Sequence, residues 1–127
     1  MRLSGPINET HLWDVSPDGT RIAFTRSADA PIEILRMSGG SAGEINPKGW
    51  TTTEILVWTA DGKGLFISGL SHNLESLLRI DLDGRKYALW SSPSDLITVG
   101  APSPDGLHLA ITQTQRVSGN IWMIEDF

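Results

Sequence analysis

The chain has 127 residues, a hydrophobic content of 39% and 13 glycines, which suits one globular domain with a core of its own. It contains no cysteine, which excludes disulfides and thiolate metal sites, and its net charge of −5 with scattered basic residues argues against nucleic acid as the main partner. No run approaches the ~18 apolar residues of a membrane span, and the first ten residues lack the apolar core of a signal peptide.

In chain order, the same turn recurs three times, at residues 16–19, 59–62 and 103–106, with spacings of 43 and 44 residues. A strand-like stretch precedes each turn, and an apolar strand follows it, read as RIAF, GLFI and HLAI. A third apolar segment comes next in every copy, as IEILRM, SLLRIDL and NIWMI. A fourth segment is present in two copies, at residues 43–46 and 86–90.

The chemistry of these turns favours β-hairpins. Proline at the second turn position presets φ, aspartate bonds the neighbouring backbone, and glycine supplies the positive φ that closes the turn. Four short strands per ~43 residues are typical of a propeller blade, and chance alignment of unrelated hairpins is the disfavoured alternative. The sequence therefore predicts an all-β propeller with blades at about residues 7–46, 51–90 and 95–127.

The motif Trp-Ser-Pro-Asp-Gly before a short apolar strand is typical of TolB-like β-propellers, and this chain resembles them. Trp58 stands at the tryptophan position of the second copy, whereas Val15 and Pro102 stand there in the other two. Similar repeats occur in propeller domains of prolyl oligopeptidase-type peptidases and of bacterial sensor or regulatory proteins, whose last blade the C-terminal segment resembles. The resemblance implies a periplasmic or other extracytoplasmic location, which the residues themselves do not reveal.

The third copy lacks a fourth strand, and residues 2–5 lie in the register of one. Leu3 precedes Ser16 by 13 residues, much as Leu89 precedes Ser103 by 14. Known propellers have roughly four to eight blades, so three blades leave sheet faces bare. We therefore expect a homodimer with a six-bladed ring, in which residues 2–5 of one chain complete the last blade of its partner. A nine-bladed trimer and a longer natural chain are the alternatives.

No residue pattern indicates catalysis or a cofactor. His11 and His72 lie about 60 residues apart, which gives no metal-ligand spacing. Ser71, His72 and Asp95 are the residue types of a catalytic triad, but a triad is defined by the geometry of its members and not by their presence in the sequence. No Gly-x-Ser-x-Gly elbow is present, so we interpret these three as surface loop residues. The recurring turn aspartates are best explained as turn formers. We therefore predict that the chain is not an enzyme and holds no cofactor or metal.

Tryptophans and channel-side loops are the better candidates for binding. Trp13, Trp58 and Trp122 are expected in the blade cores, whereas Trp50 falls in a polar loop and either anchors an interface or tucks between blades. The first hypothesis is a non-enzymatic module that binds a protein or peptide. The alternatives are an accessory propeller of a peptidase or kinase, and a fragment that only assembles. The candidate contacts of the first hypothesis are His11, Trp50, His72 and Arg116.

Overall fold

The structure, a computed structural model, describes residues 12–46, 49–71, 74–92, 96–114 and 119–125. Within these ranges every regular element is a β-strand, so the prediction of an all-β chain is confirmed. Among the described residues no helix is long and apolar enough to cross a membrane. The strands are β1 (Trp13–Val15), β2 (Arg21–Thr25), β3 (Ile32–Arg36), β4 (Ser41–Ile45), β5 (Trp50–Trp58), β6 (Gly64–Ser71), β7 (Leu74–Asp81), β8 (Lys86–Ser92), β9 (Leu96–Pro102), β10 (His108–Thr114) and β11 (Gly119–Glu125).

These strands form three antiparallel sheets, each connected as a simple meander. The first sheet has the order β1-β2-β3-β4 and the second the order β5-β6-β7-β8. The third has three described strands in the order β9-β10-β11. Four-stranded antiparallel sheets stacked in chain order are the arrangement expected of propeller blades.

The repeated turns close the hairpins β1–β2, β5–β6 and β9–β10 with the same bonds. In each, the hydroxyl of the first residue donates to the aspartate carboxylate at 2.5–2.7 Å. The glycine N–H donates to the carbonyl of that first residue at 2.8–3.0 Å. The three glycines have φ between +69° and +75°, a conformation that favours glycine. The second copy therefore makes the same turn bonds with Ala60 in place of proline.

Two apolar clusters hold the three sheets together. The first lies between the first and second sheets and the other between the second and third. Burial of apolar surface between neighbours is the term that stabilises a stacked repeat architecture. The first cluster contains Ala23, Ile32, Ile34, Ile45, Leu56, Trp58, Leu65, Ile67, Leu78 and Ile80. The other contains Phe66, Leu77, Leu109 and Ile111, with Ile55, Val57, Leu89, Trp90 and Ile124 packed against them.

Trp58 joins the first two sheets through polar contacts as well as packing. Its backbone N–H donates to Asp14 Oδ2 at 2.8 Å, and its indole Nε1 donates to the Asp14 carbonyl at 2.9 Å. The guanidinium of Arg21 lies 4.7 Å from the centroid of the indole ring and donates to the Gly62 carbonyl at 2.7 Å. Strand β1 is therefore hydrogen-bonded to the second sheet through Asp14, which accepts both bonds from Trp58.

The tryptophans differ from the sequence expectation in one respect. Trp58 is 2% exposed, as predicted for the core, but the prediction for Trp13 is wrong, because its side chain is 59% exposed. Trp13 lies on the outer face of the first sheet, which no other described sheet covers. The side chain of Trp122 is not among those described. Trp50 is the first residue of β5, where it pairs with Ser71, rather than part of the preceding loop.

Candidate functional site

The predicted contact residues fall almost entirely outside the part of the chain that the structure describes. His11, His72 and Arg116 are outside the described residues, and so are residues 2–5. The backbone of Trp50 is placed in β5, but its side chain is not described. The loop-based contact set therefore stays a prediction, and the described residues present different surfaces.

The first of these surfaces is the outer face of the first sheet. We call the side of a sheet that faces the preceding sheet its back face, and the opposite side its forward face. On the second sheet, six back-face residues pack against the first sheet and are all buried. They are Leu56, Trp58, Leu65, Ile67, Leu78 and Ile80.

The first sheet carries the same set of positions on its own back face. Strand register identifies the counterparts, because Trp13 pairs with Phe24 as Leu56 pairs with Ile67. Trp13 is 59% exposed and Val15 36% exposed, so this apolar face lacks a packing partner among the described sheets. The six counterparts are Trp13, Val15, Ile22, Phe24, Glu33 and Leu35.

One end of this back face is already covered by an ion pair. Arg26 Nε lies 2.6 Å from Glu33 Oε2, and the guanidinium lies 5.3 Å from the centroid of the Phe24 ring. Phe24 is 1% exposed despite its place on the outer side, and the Arg26 guanidinium is one of the groups beside its ring. The bare part of the face is thus the strip around Trp13 and Val15.

The forward face of the third sheet is the second exposed apolar surface. Ala110 pairs with Met123 as Ala23 pairs with Ile34 in the first sheet, where the pair is buried. Met123 is 63% exposed and Ile121 is 80% exposed. Since exposed apolar residues that alternate along one strand share one face, this surface is suited to packing rather than to solvent.

The third sheet also ends in an edge that no other described strand covers. In the first two sheets the third strand pairs with a fourth, as β3 with β4 and β7 with β8. Within the described part of the chain, β11 has a neighbour only on its β10 side. A strand edge with unpaired N–H and C=O groups is a template for pairing with another segment.

A cleft of about 840 Å³ opens between the second and third sheets at the end where the repeated turns lie. Turn residues 59–63 and 104–106 line it, together with Phe66, Arg79 and Asp81. Arg79 Nε lies 3.5 Å from Asp81 Oδ1, which leaves this pair loosely joined. The cleft is therefore partly polar and partly apolar, and it carries charges of both signs.

The turn aspartates stay ionised over a wide pH range. Hydrogen bonds from the Thr20 hydroxyl, the Thr20 N–H and the Ser16 hydroxyl lower the pKa of Asp18 to about 2. The pKa values of Asp61 and Asp105 are also lowered, first by the hydroxyl of the first turn residue and then by the N–H two residues after the aspartate. Asp61 and Asp105 therefore keep their negative charges in the cleft to lower pH than an ordinary aspartate.

A pair of glutamates lies at a different place on the second sheet, outside the residues that line the cleft. Burial raises the pKa of the Glu75 carboxyl, and the charge of Glu54 and a hydrogen bond with it raise that pKa further. Among the described residues, no group of three or more histidines and carboxylates is placed to hold a metal ion. The raised pKa of Glu75 therefore makes the stability of the folded chain depend on pH.

Comparison with known proteins gives likeness over part of their length only. No family model matches the chain. Tricorn protease homolog 1 from Streptomyces coelicolor is 37% identical over 65 residues, which are 50% of this chain and 6% of that protein. TolB from Agrobacterium tumefaciens has 21% identity and a TM-score of 0.73, over 93% of this chain and 42% of that one.

Two further solved structures agree. TolB from Acinetobacter baumannii has 21% identity and a TM-score of 0.68, over 94% of this chain and 30% of that one. Prolyl oligopeptidase B from Galerina marginata has 16% identity and a TM-score of 0.66, over 91% of this chain and 21% of that one. These likenesses establish a TolB-like β-propeller fold for the chain, which spans less than half the length of each of them.

Proposed function

We propose that this chain is a non-enzymatic β-propeller module that binds protein or peptide partners and that completes a six-bladed ring with a second copy of itself. The observation that carries the assembly is that its two exposed faces repeat a pair of faces already packed within the chain. The TolB-like fold supports the scaffold and binding role. The absence of catalysis remains a prediction from the sequence.

The forward faces of the first and third sheets are nearly identical in composition. Ala23, Thr25 and Ile32 have the register counterparts Ala110, Thr112 and Ile121. In the first sheet these residues are buried against the back face of the second sheet. The same surface on the third sheet therefore fits a back face of that type.

The chain offers one such back face, on its first sheet. Trp13 stands at the register position of Leu56 and Val15 at that of Trp58, so both positions are apolar, with the larger side chain at the first instead of the second. If the third sheet of one copy packs on the first sheet of the other, a two-fold axis generates the same contact twice. The result is a closed ring of six sheets with no exposed apolar face.

The expected free energy favours this closure. An interface of standard size, ~1,600 Å² and a little over half apolar, stabilises by up to about 20 kcal/mol. Association costs roughly 4–15 kcal/mol in lost translational and rotational freedom, and the ring contains the interface twice for one such cost. Packing of the two faces is therefore sufficient to hold the dimer.

The open edge of β11 extends the proposal to the chain terminus. Residues 2–5 lie in the register of an outer strand, and in the ring they would pair with β11 of the other copy. This pairing would give the third sheet the fourth strand that the other two sheets have. It would also remove an edge that promotes aggregation.

The likeness to a prolyl oligopeptidase and to a Tricorn protease homolog favours a second candidate function. In that case the module is an accessory propeller whose ring is completed by further blades, and which acts beside a peptidase domain. The two candidates differ in what the 127-residue chain does alone. Only the first requires that two copies associate.

The test is the mass of the chain in solution, measured by sedimentation equilibrium and native mass spectrometry. Twice the chain mass is expected, and a mass equal to one or three chains would contradict the six-bladed dimer. A variant that lacks residues 1–5 should form a weaker dimer, which dissociates at a higher protein concentration than the dimer of the full chain. Equal dissociation of the two would show that these residues do not latch the ring.

A further inference from the structure

The junction between the first and second sheets is filled by an arginine of the chain itself. Arg21 follows the first turn, stacks 4.7 Å from the centroid of the Trp58 ring and donates to the Gly62 carbonyl at 2.7 Å. A β-carbon built on Gly62 would lie 3.3 Å from the guanidinium, so the side chain occupies the space directly beside the second turn. This contact combines cation–π stacking with a charge-assisted hydrogen bond.

At the next junction neither an arginine nor a tryptophan stands at the corresponding positions. The register counterpart of Arg21 is Gly64, and the counterpart of Trp58 is Pro102. The third turn still packs on the second, since a β-carbon on Gly106 would lie 3.7 Å from Ala60 Cβ. The cleft of about 840 Å³ lies here, where the first junction has its arginine.

The chain cannot fill this space from position 64. A β-carbon on Gly64 would lie 2.7 Å from the Ile80 carbonyl oxygen, which is closer than real β-carbons approach backbone atoms. It would also lie 3.2 Å from Asp81 Oδ1, so a carboxylate stands at the mouth of the missing side chain. A side chain at position 64 is therefore excluded, and the group considered for this space is one that another molecule supplies.

The charges that line the cleft favour a cationic occupant. Gly64 pairs with Asp81 at the place where Arg21 pairs with Arg36, so an arginine of the first sheet is replaced by a carboxylate. Four aspartates line the cleft, against Arg21, Lys63 and Arg79. Of these cations, Arg21 is engaged at the first junction, whereas Arg79 lies 4.3 Å from the centroid of the Tyr87 ring and 3.5 Å from Asp81 Oδ1, so that it shares Asp81 with any bound cation. The aspartates are Asp61, Asp81, Asp83 and Asp105.

We propose that this cleft binds the guanidinium of an arginine side chain presented by a partner polypeptide. The bound group takes the place that Arg21 has at the first junction, with the Gly106 carbonyl as counterpart of the Gly62 carbonyl and with Asp81 as the opposing charge. This inference deepens the binding role proposed above by naming the partner's chemistry. It does not depend on ring closure, because every residue of the cleft belongs to one chain.

The experiment is a titration of the ¹⁵N-labelled chain with the peptide acetyl-Gly-Arg-Gly-amide, followed by two-dimensional NMR. Saturable shifts are expected at the amides of the cleft, around Lys63, Asp81 and Gly106. The same peptide with citrulline in place of arginine is the matched control, because it keeps the shape and removes the charge. We expect no saturable shift with citrulline.

Variants of the chain test the site itself. Asp81→Asn should weaken arginine-peptide binding by about two- to fivefold, the range of a partly exposed ion pair, and the exposed Asp83→Asn should act in the same direction. Asp29→Asn removes the same charge from an exposed loop of the first sheet and should change nothing. If Asp81→Asn perturbs the fold, seen as shifts throughout the spectrum, Asp83→Asn decides the matter.

Three results would overturn the inference: equal shifts with citrulline, no saturable shift at millimolar peptide, or an affinity unaffected by both cleft variants. None of these results bears on the mass of the assembly. Failure of the cleft and failure of the ring are therefore separate outcomes, since the ring is judged by sedimentation and the cleft by titration.

Discussion

Replacing Met123 with lysine tests whether the forward face of the third sheet is the dimer interface or an ordinary exposed surface. Met123 is 63% exposed on the forward face of the third sheet, and Leu107 is 61% exposed in the third turn. The two residues thus have almost equal exposure in one chain. If the chain stayed alone, lysine at either position would have the same small effect, because surface substitutions are usually close to neutral.

The dimer makes the two substitutions unequal. Ile34, the register counterpart of Met123, is 3% exposed where sheets pack, so Met123 should be similarly buried in the ring. Burying a methionine side chain contributes about 1.5–3 kcal/mol, and the ring buries two of them, which gives about 3–6 kcal/mol. The loss corresponds to at least a ~100-fold weaker dimer, before the cost of burying an ammonium group is added.

Sedimentation velocity over a dilution series measures this difference. Met123→Lys should sediment as single chains at concentrations where the wild type and Leu107→Lys are dimers. All three proteins should melt cooperatively, because Met123 is exposed in the single chain. Equal dimer stability of Met123→Lys and Leu107→Lys would refute the assignment of this face to the ring interface.

Two further predictions concern stability. Asp14→Ala leaves the buried Trp58 N–H without its acceptor and should lower the free energy of unfolding by about 1–3 kcal/mol in urea titration, whereas the exposed Asp83→Ala should change it little. The pKa of Asp18 is lowered from 3.8 to about 2, so the stability that its carboxylate contributes is complete above pH 3.8 and is lost as the pH falls towards 2. The difference in the free energy of unfolding between the wild type and Asp18→Asn should therefore vanish over that interval. The raised pKa of Glu75 has the opposite sign, because stability then falls as pH rises through 4.5, and Glu75→Gln should flatten that decline.

The hairpins could be predicted from the sequence because their determinants are local. The hydroxyl, aspartate and glycine of each turn lie within four residues, and the bonds they predict are the ones observed around Gly19, Gly62 and Gly106. Alternating apolar residues after each turn likewise identify a strand with one or two buried faces. The fold class could therefore be predicted from short segments because each of them recurs in three copies.

Exposure could not be predicted in the same way. Trp13 and Leu56 are counterparts in register, yet Leu56 is 5% exposed and Trp13 is 59% exposed. The difference depends on whether another sheet precedes the strand, and neither residue carries that information. A repeat sequence therefore predicts which residues are made for burial, and the order of the stacked sheets decides which are buried.

The cleft had a signal in the sequence, which lies in departures from the repeat rather than in the repeat itself. Residues shared by all copies form turns and cores, so they mark the scaffold. Arg21 and Trp58 form a stacked pair at the first junction, and Gly64 and Pro102 replace both members at the next one. The second junction therefore lacks both the arginine side chain and the indole ring on which it would stack. The Asp81 carboxylate lies beside Gly64, the position of the missing arginine. In a chain of near-identical units, a junction changed in all three of these ways is where an outside group is best accommodated.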